Sequence, residues 1–271
     1  MTTRGLADRL LALHRRGAVL LLPNAWDQGS ARLLEAAGFE AIATTSSGFA
    51  ATLGRLDGAV TRAEALVHCG LVAAATGVPV SADLENGWAD DPDAVAETIA
   101  MAAATGLAGA SIEDFTGRPD DPIYNLTLAT ERIAAAAGVA HSDGTRMVLT
   151  ARAENHLHGR ADLEDTIGRL KAYEAAGADV LYAPGLNSLD QVRQVVDAVD
   201  RPLNVLLLPG GPSVAELEAA GVKRISVGGA FAYAAMGALV AAAREFREGG
   251  TSEFFDGARI GSMAARAAFK D

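Results

Sequence analysis

The chain has 271 residues, half of them apolar and 21% charged, a composition that can bury a large core without disulfides. Its one cysteine, Cys69, rules out an internal disulfide and a cysteine-based zinc cage. With 23 basic and 34 acidic residues, the net charge of −11 argues against nucleic acid or an anionic membrane as partner.

Residues 1–16 are amphipathic and lack the apolar centre of a signal peptide. No apolar run nears the ~18 residues of a membrane span. The expectation is a soluble, cytoplasmic protein. Apolar strand-type runs follow at 18–22, 41–45, 78–83, 107–112, 147–151, 180–183, 203–208 and 224–227. They are continuous, as in parallel strands covered on both faces. Helical patterns lie between them at 27–37, 61–76, 92–105, 127–138, 161–176, 187–199 and 213–220. Thr61 with Glu64 forms a capping-box pattern, and Asp91-Pro92 sets proline in a first turn. EAAGFE, EAAGAD and EAAGVK each close a helix at glycine, where a positive φ is favoured.

Eight runs alternating with helices predict an α/β fold, a (β/α)8 TIM-type barrel, over an open doubly wound sheet. The span 1–271 is expected to be a single barrel domain. Residues 229–271 would form a C-terminal helical extension, with patterns at 229–248 and about 252–268. Its apolar side, FAYAAMGALVAAA, is expected to pack on another subunit or across the barrel.

In such a barrel the chemistry sits at the C-terminal ends of the strands. Trp26 follows the first run, where it would roof a pocket, and Ser47, Gly48 and Phe49 follow the second, with Asp57 in the next loop. Asp83 and Glu85 end the third run, Glu113 the fourth and Arg152 the fifth; Asn204 lies in the seventh. Asp57, Asp83, Glu85 and Glu113 would repel one another without shared protons or a cation. A hard divalent ion suits oxygen ligands, and Mg2+ keeps waters and substrate among its ligands. Asp83 and Glu85, two apart on a strand, would face one side. Arg152 offers a fork for a substrate carboxylate, and Ser47 with the amides after it a cradle for an anion. This set suits a 2-oxo acid or small dicarboxylate, with the cation placed where enolate charge develops.

Asp27, Asp114 and Glu154 read equally well as helix caps, and Arg152 as a structural partner of Glu154 or Glu113. Cys69 reads as a small core residue, and His156 with His158 as loop residues. The lysines Lys171, Lys223 and Lys270 fall outside the strand-end positions, which excludes Schiff-base and pyridoxal-phosphate chemistry.

The stretches LLPNAWDQGSARLLEAAGFEAIATTSSG, LGRLDG, PVSADLENGWAD, GASIEDF, LTARAEN and RISVGG resemble, in order, the isocitrate lyase/phosphoenolpyruvate mutase superfamily. The resemblance runs from about residue 20 to 229. It implies a barrel whose C-terminal helices swap between subunits of a homo-oligomer, a dimer or tetramer. It implies Mg2+, with Mn2+ as substitute, bound chiefly through Asp83, with Glu85 and Glu113 on its waters and Asp57 close by. Ser47, Gly48 and Phe49 would cradle an anion, and Arg152 would hold the substrate carboxylate. The catalytic set is then Asp57, Glu113 and Arg152, and the substrate-binding set Trp26, Ser47, Gly48, Phe49, Arg152 and Asn204.

Two departures bear on the reaction. Where the family's isocitrate and methylisocitrate lyases carry a Lys-Lys-Cys-Gly-His loop, this chain has Phe115 to Asn125 with no cysteine. Glu85 replaces the usual aspartate. The expected function is Mg-dependent C–C cleavage, by retro-aldol chemistry or decarboxylation, next to a 2-oxo or 2-hydroxy carboxylate. The alternatives are C–P chemistry of mutase or phosphonopyruvate hydrolase type, and a non-catalytic 2-oxo acid binder.

Overall fold

Apolar runs that pair in parallel need long crossovers, and here each crossover is a helix. The computed structural model describes residues 2–269; Met1, Lys270 and Asp271, which the expected 1–271 span includes, lie outside the described residues. The strands are β1 (Leu20–Leu22), β2 (Asn24–Ala25), β3 (Ile42–Thr44), β4 (Val80–Asp83), β5 (Gly109–Glu113), β6 (Val148–Arg152), β7 (Val180–Tyr182), β8 (Leu203–Leu206) and β9 (Arg224–Ser226). All pair in parallel in one sheet, in the order β1-β9-β8-β7-β6-β5-β4-β3-β2. The fold is an α/β TIM-type barrel.

Nine strands replace the eight expected because a second short strand, Asn24–Ala25, follows the expected 18–22 run across Pro23. Proline has no N–H to give to a ladder. Leu20–Leu22 therefore pair with β9, while Asn24–Ala25 pair with β3. The Pro23 carbonyl still accepts from Ala43 N at 2.8 Å. One residue thus joins the two ends of the sheet.

The helices are α1 (Thr3–Arg15), α2 (Gln28–Ala36), α3 (Ser46–Thr52), α4 (Arg62–Ala74), α5 (Pro92–Ala103), α6 (Leu126–Ala140), α7 (Leu163–Ala175), α8 (Leu189–Ala198), α9 (Val214–Ala219), α10 (Ala230–Arg244) and α11 (Phe255–Ala268). A π-helical turn, Glu245–Gly249, ends α10. The Thr61–Glu64 capping box forms as expected, and Asp91 caps α5 ahead of Pro92. Gly38, Gly177 and Gly221 take φ of +92°, +107° and +93°. The main core lies between the sheet and its helices. A second apolar cluster joins Leu10 and Leu13 of α1 to Leu20, Leu22 and Val148, and so plugs the N-terminal end of the barrel.

The sequence reading missed α3 as a helix. Thr45 caps it, accepting from Gly48 N at 3.3 Å. Among the described residues, no helix is long and apolar enough to cross a membrane.

Candidate active site

Asp83, Glu113 and Arg152 close β4, β5 and β6, and strand register sets them side by side, with Glu113 opposite Arg152. Arg152 is the hub. Its Nη1 lies 3.0 Å from Asp83 Oδ1 and 3.2 Å from Glu113 Oε2, and its Nη2 lies 2.7 Å from Glu154 Oε1. Burial works against its charge, yet Glu154, Glu113 and Asp83 hold its pKa well above the ordinary value. The guanidinium also stands 5.0 Å from the centre of the Tyr182 ring. Arg152 therefore touches Asp83 directly, and its pairing with Glu154 and Glu113 is part of the site.

Asp83 is fixed from a second side. Ser46 N, at the start of α3, donates to Asp83 Oδ2 at 3.2 Å, and Thr44 Oγ1 accepts from Asp83 N at 2.9 Å. The loop after β3 is thereby tied to the end of β4.

Glu85 reaches the mouth by a route that strand alternation does not describe, because β4 ends at Asp83. Its φ is +47°, a left-handed conformation that costs a non-glycine residue roughly 1–3 kcal/mol. The bond from Glu113 N to Glu85 O, at 3.0 Å, holds that turn. Burial, with the charges of Asp83 and Asp57, pushes the Glu85 carboxyl up to about 8. Burial also lifts Glu113 well above the carboxylate range, against the pull of Arg152. Asp57, on the loop after α3, is raised by desolvation and the Asp83 charge, against a lowering hydrogen bond from Ser46.

Two adjoining cavities of about 250 and 260 Å3 share Ser46, Asp57, Arg152 and Leu157. The first runs down into the barrel past Ser47, Asp83, Tyr182, Asn204 and Arg224. The second holds Glu85, Glu113, Glu154, Phe115 and His158. Asp57, Asp83, Glu85, Glu113 and Glu154 thus face one mouth where, among the described residues, Arg152 is the one arginine or lysine, with Arg224 lining the inner cavity below.

The other expected residues divide. Ser47 lines the inner cavity, its hydroxyl 3.1 Å from Thr45 Oγ1. Gly48 and Phe49 lie behind the rim, their amides turned to the Thr45 hydroxyl and carbonyl. A methyl on Gly48 would come within 2.6 Å of Thr45 and 3.0 Å of Trp26, so its smallness serves packing. The Phe49 ring stacks on His68 at 3.8 Å, and His68 Nε2 is 2.9 Å from the Trp26 carbonyl. Trp26 and Phe49 line an outer groove beside α2 and α4. Asn204 is fully buried in the inner cavity, donating to Ser226 Oγ at 3.0 Å.

Asp27 caps α2. Asp114 points away from the mouth, taking bonds from Tyr173 Oη at 2.6 Å, Arg169 Nη1 at 3.1 Å and Glu154 N at 2.8 Å. Cys69 is buried in α4, and burial pushes its thiol up to about 12. Lys171 and Lys223 stay outside both cavities, and Lys270 lies outside the described residues.

The loop 115–125 is pinned. Phe115 and Ile123 form an antiparallel bridge, and Phe115 stacks face to face on His158 at 3.8 Å. Tyr124 Oη donates to Asp90, which also pairs with Arg118 at 3.0 Å. Asn125 caps α6.

Sequence reasoning passed over three residues here. Ser46 had no signal beyond its neighbours, and His158 was set aside as a loop residue. Arg224 carried a signal, a charged residue opening an apolar strand.

The donor set suits a hard divalent ion. Glu85 and Asp57 face like charges, and Arg152 pulls against them. Among the described residues no three His, Cys, Asp or Glu side chains stand close enough to enclose an ion unaided.

The acidic cluster and Arg152 stand at the C-terminal ends of the strands, where TIM-barrel enzymes carry their active sites. Residues 10–247 match the sequence model of the phosphoenolpyruvate phosphomutase family. The chain belongs to that family, within the isocitrate lyase/phosphoenolpyruvate mutase superfamily. It is 33% identical over 238 residues to an uncharacterized protein of Mycobacterium tuberculosis H37Rv, covering 88% of each chain. It is 30% identical over 217 residues to the oxaloacetate decarboxylase of Paraburkholderia xenovorans, covering 75% of this chain and 68% of that one. A crystal structure from Burkholderia cenocepacia J2315, described only as a lyase/mutase, superposes with a TM-score of 0.91 at 52% identity, covering 94% of this chain and 92% of that one.

Proposed function

We propose that the protein is a Mg-dependent carbon–carbon lyase acting on a 2-oxo or 2-hydroxy carboxylate, with Mn2+ able to substitute. The observation that carries this reading is the charge imbalance at the mouth, where five carboxylates meet, among the described residues, the one guanidinium of Arg152. Asp83 would be the chief ligand, with Glu85 and Glu113 on the waters and Asp57 beside them. The ion would supply an electrophile for the 2-oxo and carboxylate oxygens. Arg152 would hold a substrate carboxylate, giving up part of its pairing with Asp83 to do so. Ser47 at the mouth and Asn204 below it would orient the acid, with Trp26, Gly48 and Phe49 supporting the wall behind.

Cleavage sends the electron pair of the broken C–C bond into an enolate. In decarboxylation CO2 leaves without a proton and the enolate carbon takes its proton from solvent, so no cysteine acid is needed on the loop. The likeness to an oxaloacetate decarboxylase supports this form of the reaction. The match to a phosphomutase family supports C–P chemistry as a second reading.

The protein incubated with Mg2+ and a panel of 2-oxo and 2-hydroxy acids is expected to release pyruvate, glyoxylate or CO2. Asp83→Ala is expected to lower that rate at least about a hundredfold. Equal rates in both proteins would refute the lyase reading, and phosphorus NMR with phosphonopyruvate would then test C–P cleavage.

The reading takes 1–271 as one barrel with 229–271 as its extension, swapped within a dimer or tetramer. Exposed apolar side chains on α10 and α11 support that assembly. It places the protein in the cytoplasm, a setting that suits a lone buried thiol.

A further inference from the structure

Below the rim lies a buried cation that this chemistry does not use. Arg224 opens β9 and is 4% exposed. Its Nε donates to Asn204 Oδ1 at 2.9 Å and its Nη1 to Thr150 Oγ1 at 3.1 Å. Both acceptors are neutral, and Arg224 enters no ion pair among the described residues. Arg152 and Arg169, by contrast, each meet carboxylates. Burial, with the nearby charge of Arg152, draws Arg224 down to about 10, so it stays charged at neutral pH. A buried charge without its opposite is costly, and a ligand anion beside it would offset that cost.

The space above Arg224 is polar and connected to the mouth. Ser81, Ser111, Asn24 and Ser226 line the same cavity as Arg224, Ser47 and Arg152. A short acid entering with its 2-oxo or 2-hydroxy end at the rim would direct its far end down this cavity. The rim is rich in carboxylates and, among the described residues, the floor has none, so a second acidic group is repelled at one end and attracted at the other.

We propose that Arg224 forms an anion subsite at the floor of the barrel, which takes the far carboxylate of a short dicarboxylate. This rests on the rim holding the 2-oxo or 2-hydroxy end. Arg224 would then select diacids over monoacids with the same reacting end, through a charge-assisted bond formed out of bulk water.

Titration calorimetry with Mg2+ can separate the two ends, using stable probes. Malate and 2-hydroxybutanoate differ only in a terminal carboxylate against a methyl, and oxalate presents the reacting end alone. The wild-type protein is expected to bind malate about tenfold or more tighter than 2-hydroxybutanoate, a difference of roughly 1.4 kcal/mol. Arg224→Gln is expected to bring that ratio close to one and leave oxalate affinity within about twofold. A wild type that binds both acids alike, or an Arg224→Gln variant that keeps the ratio, overturns the subsite. So does equal loss of all three probes, which would make Arg224 structural.

Should Arg224→Gln fail to fold, Asn204→Asp decides. It sets a carboxylate beside Arg224 and is expected to raise the melting temperature and abolish the preference for malate; retention of the preference overturns the subsite. Absence of oxalate binding to the wild type would count against the lyase reading, and the two four-carbon acids would still report on Arg224.

Discussion

Burial has different outcomes in this barrel, and His14 shows what it does where the nearby opposite charge is too weak to offset it. His14 lies on the inner face of α1 at 1% exposure, its Nδ1 2.7 Å from the Leu10 carbonyl. Burial, helped by the charge of Arg224, pulls its pKa from 6.5 down to about 3, although Asp179 pulls the other way. The unfolded chain therefore takes up a proton near pH 6.5 that the folded chain refuses until about 3. Between those values the unfolded state binds more protons, so stability falls as pH falls. The slope is about 1.4 kcal/mol per pH unit, and above 6.5 the contribution is constant. Glu85 and Glu113 act in the opposite sense, since protonation suits them in the folded state. The difference between wild type and His14→Gln isolates the histidine. Urea titrations from pH 7 to 5 are expected to show wild type losing about 1 kcal/mol or more relative to the variant. Parallel curves would mean that His14 takes up its proton at the same pH in the folded and the unfolded chain.

At the level of elements, three helix ends written with one motif separate backbone strain from steric strain. Gly38 and Gly221 share a φ near +92°, but a Cβ on Gly38 meets open space, while one on Gly221 comes within 2.9 Å of Val196. Gly38→Ala is expected to cost about 1 kcal/mol and Gly221→Ala about twice that or more. In a chain this size that means a fall in melting temperature of roughly 2–4 °C against a larger one. Equal shifts would show that α9 moves away from α8 without cost. These ends were legible because glycine and cap chemistry is local. So were the strand runs, whose continuous apolar character is the mark of a two-sided buried sheet. Two elements were not legible. The helix α3, SSGFAAT, is too short and too small-sided to show a period, and its form depends on Thr45 and on Asp83 from another strand. The separation of β2 from β1 depends on which neighbour each finds. The site was legible to the same depth: strand ends named Asp83, Glu113 and Arg152, whereas Glu85 needed a left-handed turn and Trp26 and Phe49 turned outward. No spacing rule contains those rotations.

For the whole molecule, the two ends of the barrel are finished differently from its flank. Apolar α1 residues close the N-terminal end, and the polar mouth opens at the other. The C-terminal helices complete neither. Leu239 is 70% exposed, Phe246 71%, Ile260 69% and Met263 66%, and no residue of α11 is buried. Large apolar side chains exposed in number on adjoining helices mark an interface. The charge of −11 opposes indiscriminate aggregation, which favours a defined assembly over precipitation. A homo-oligomer would bury these side chains on a second copy, and the closed symmetry of most such assemblies predicts a dimer or a pair of dimers. Light scattering coupled to gel filtration is expected to give two or four times the chain mass. The double change Ile260→Glu and Met263→Glu sets two charges in that surface and is expected to shift the species to monomer while the barrel keeps its circular dichroism. A wild type that elutes as monomer at micromolar concentration would mean that α10 and α11 cover only their own barrel, and that the mouth works without a second copy.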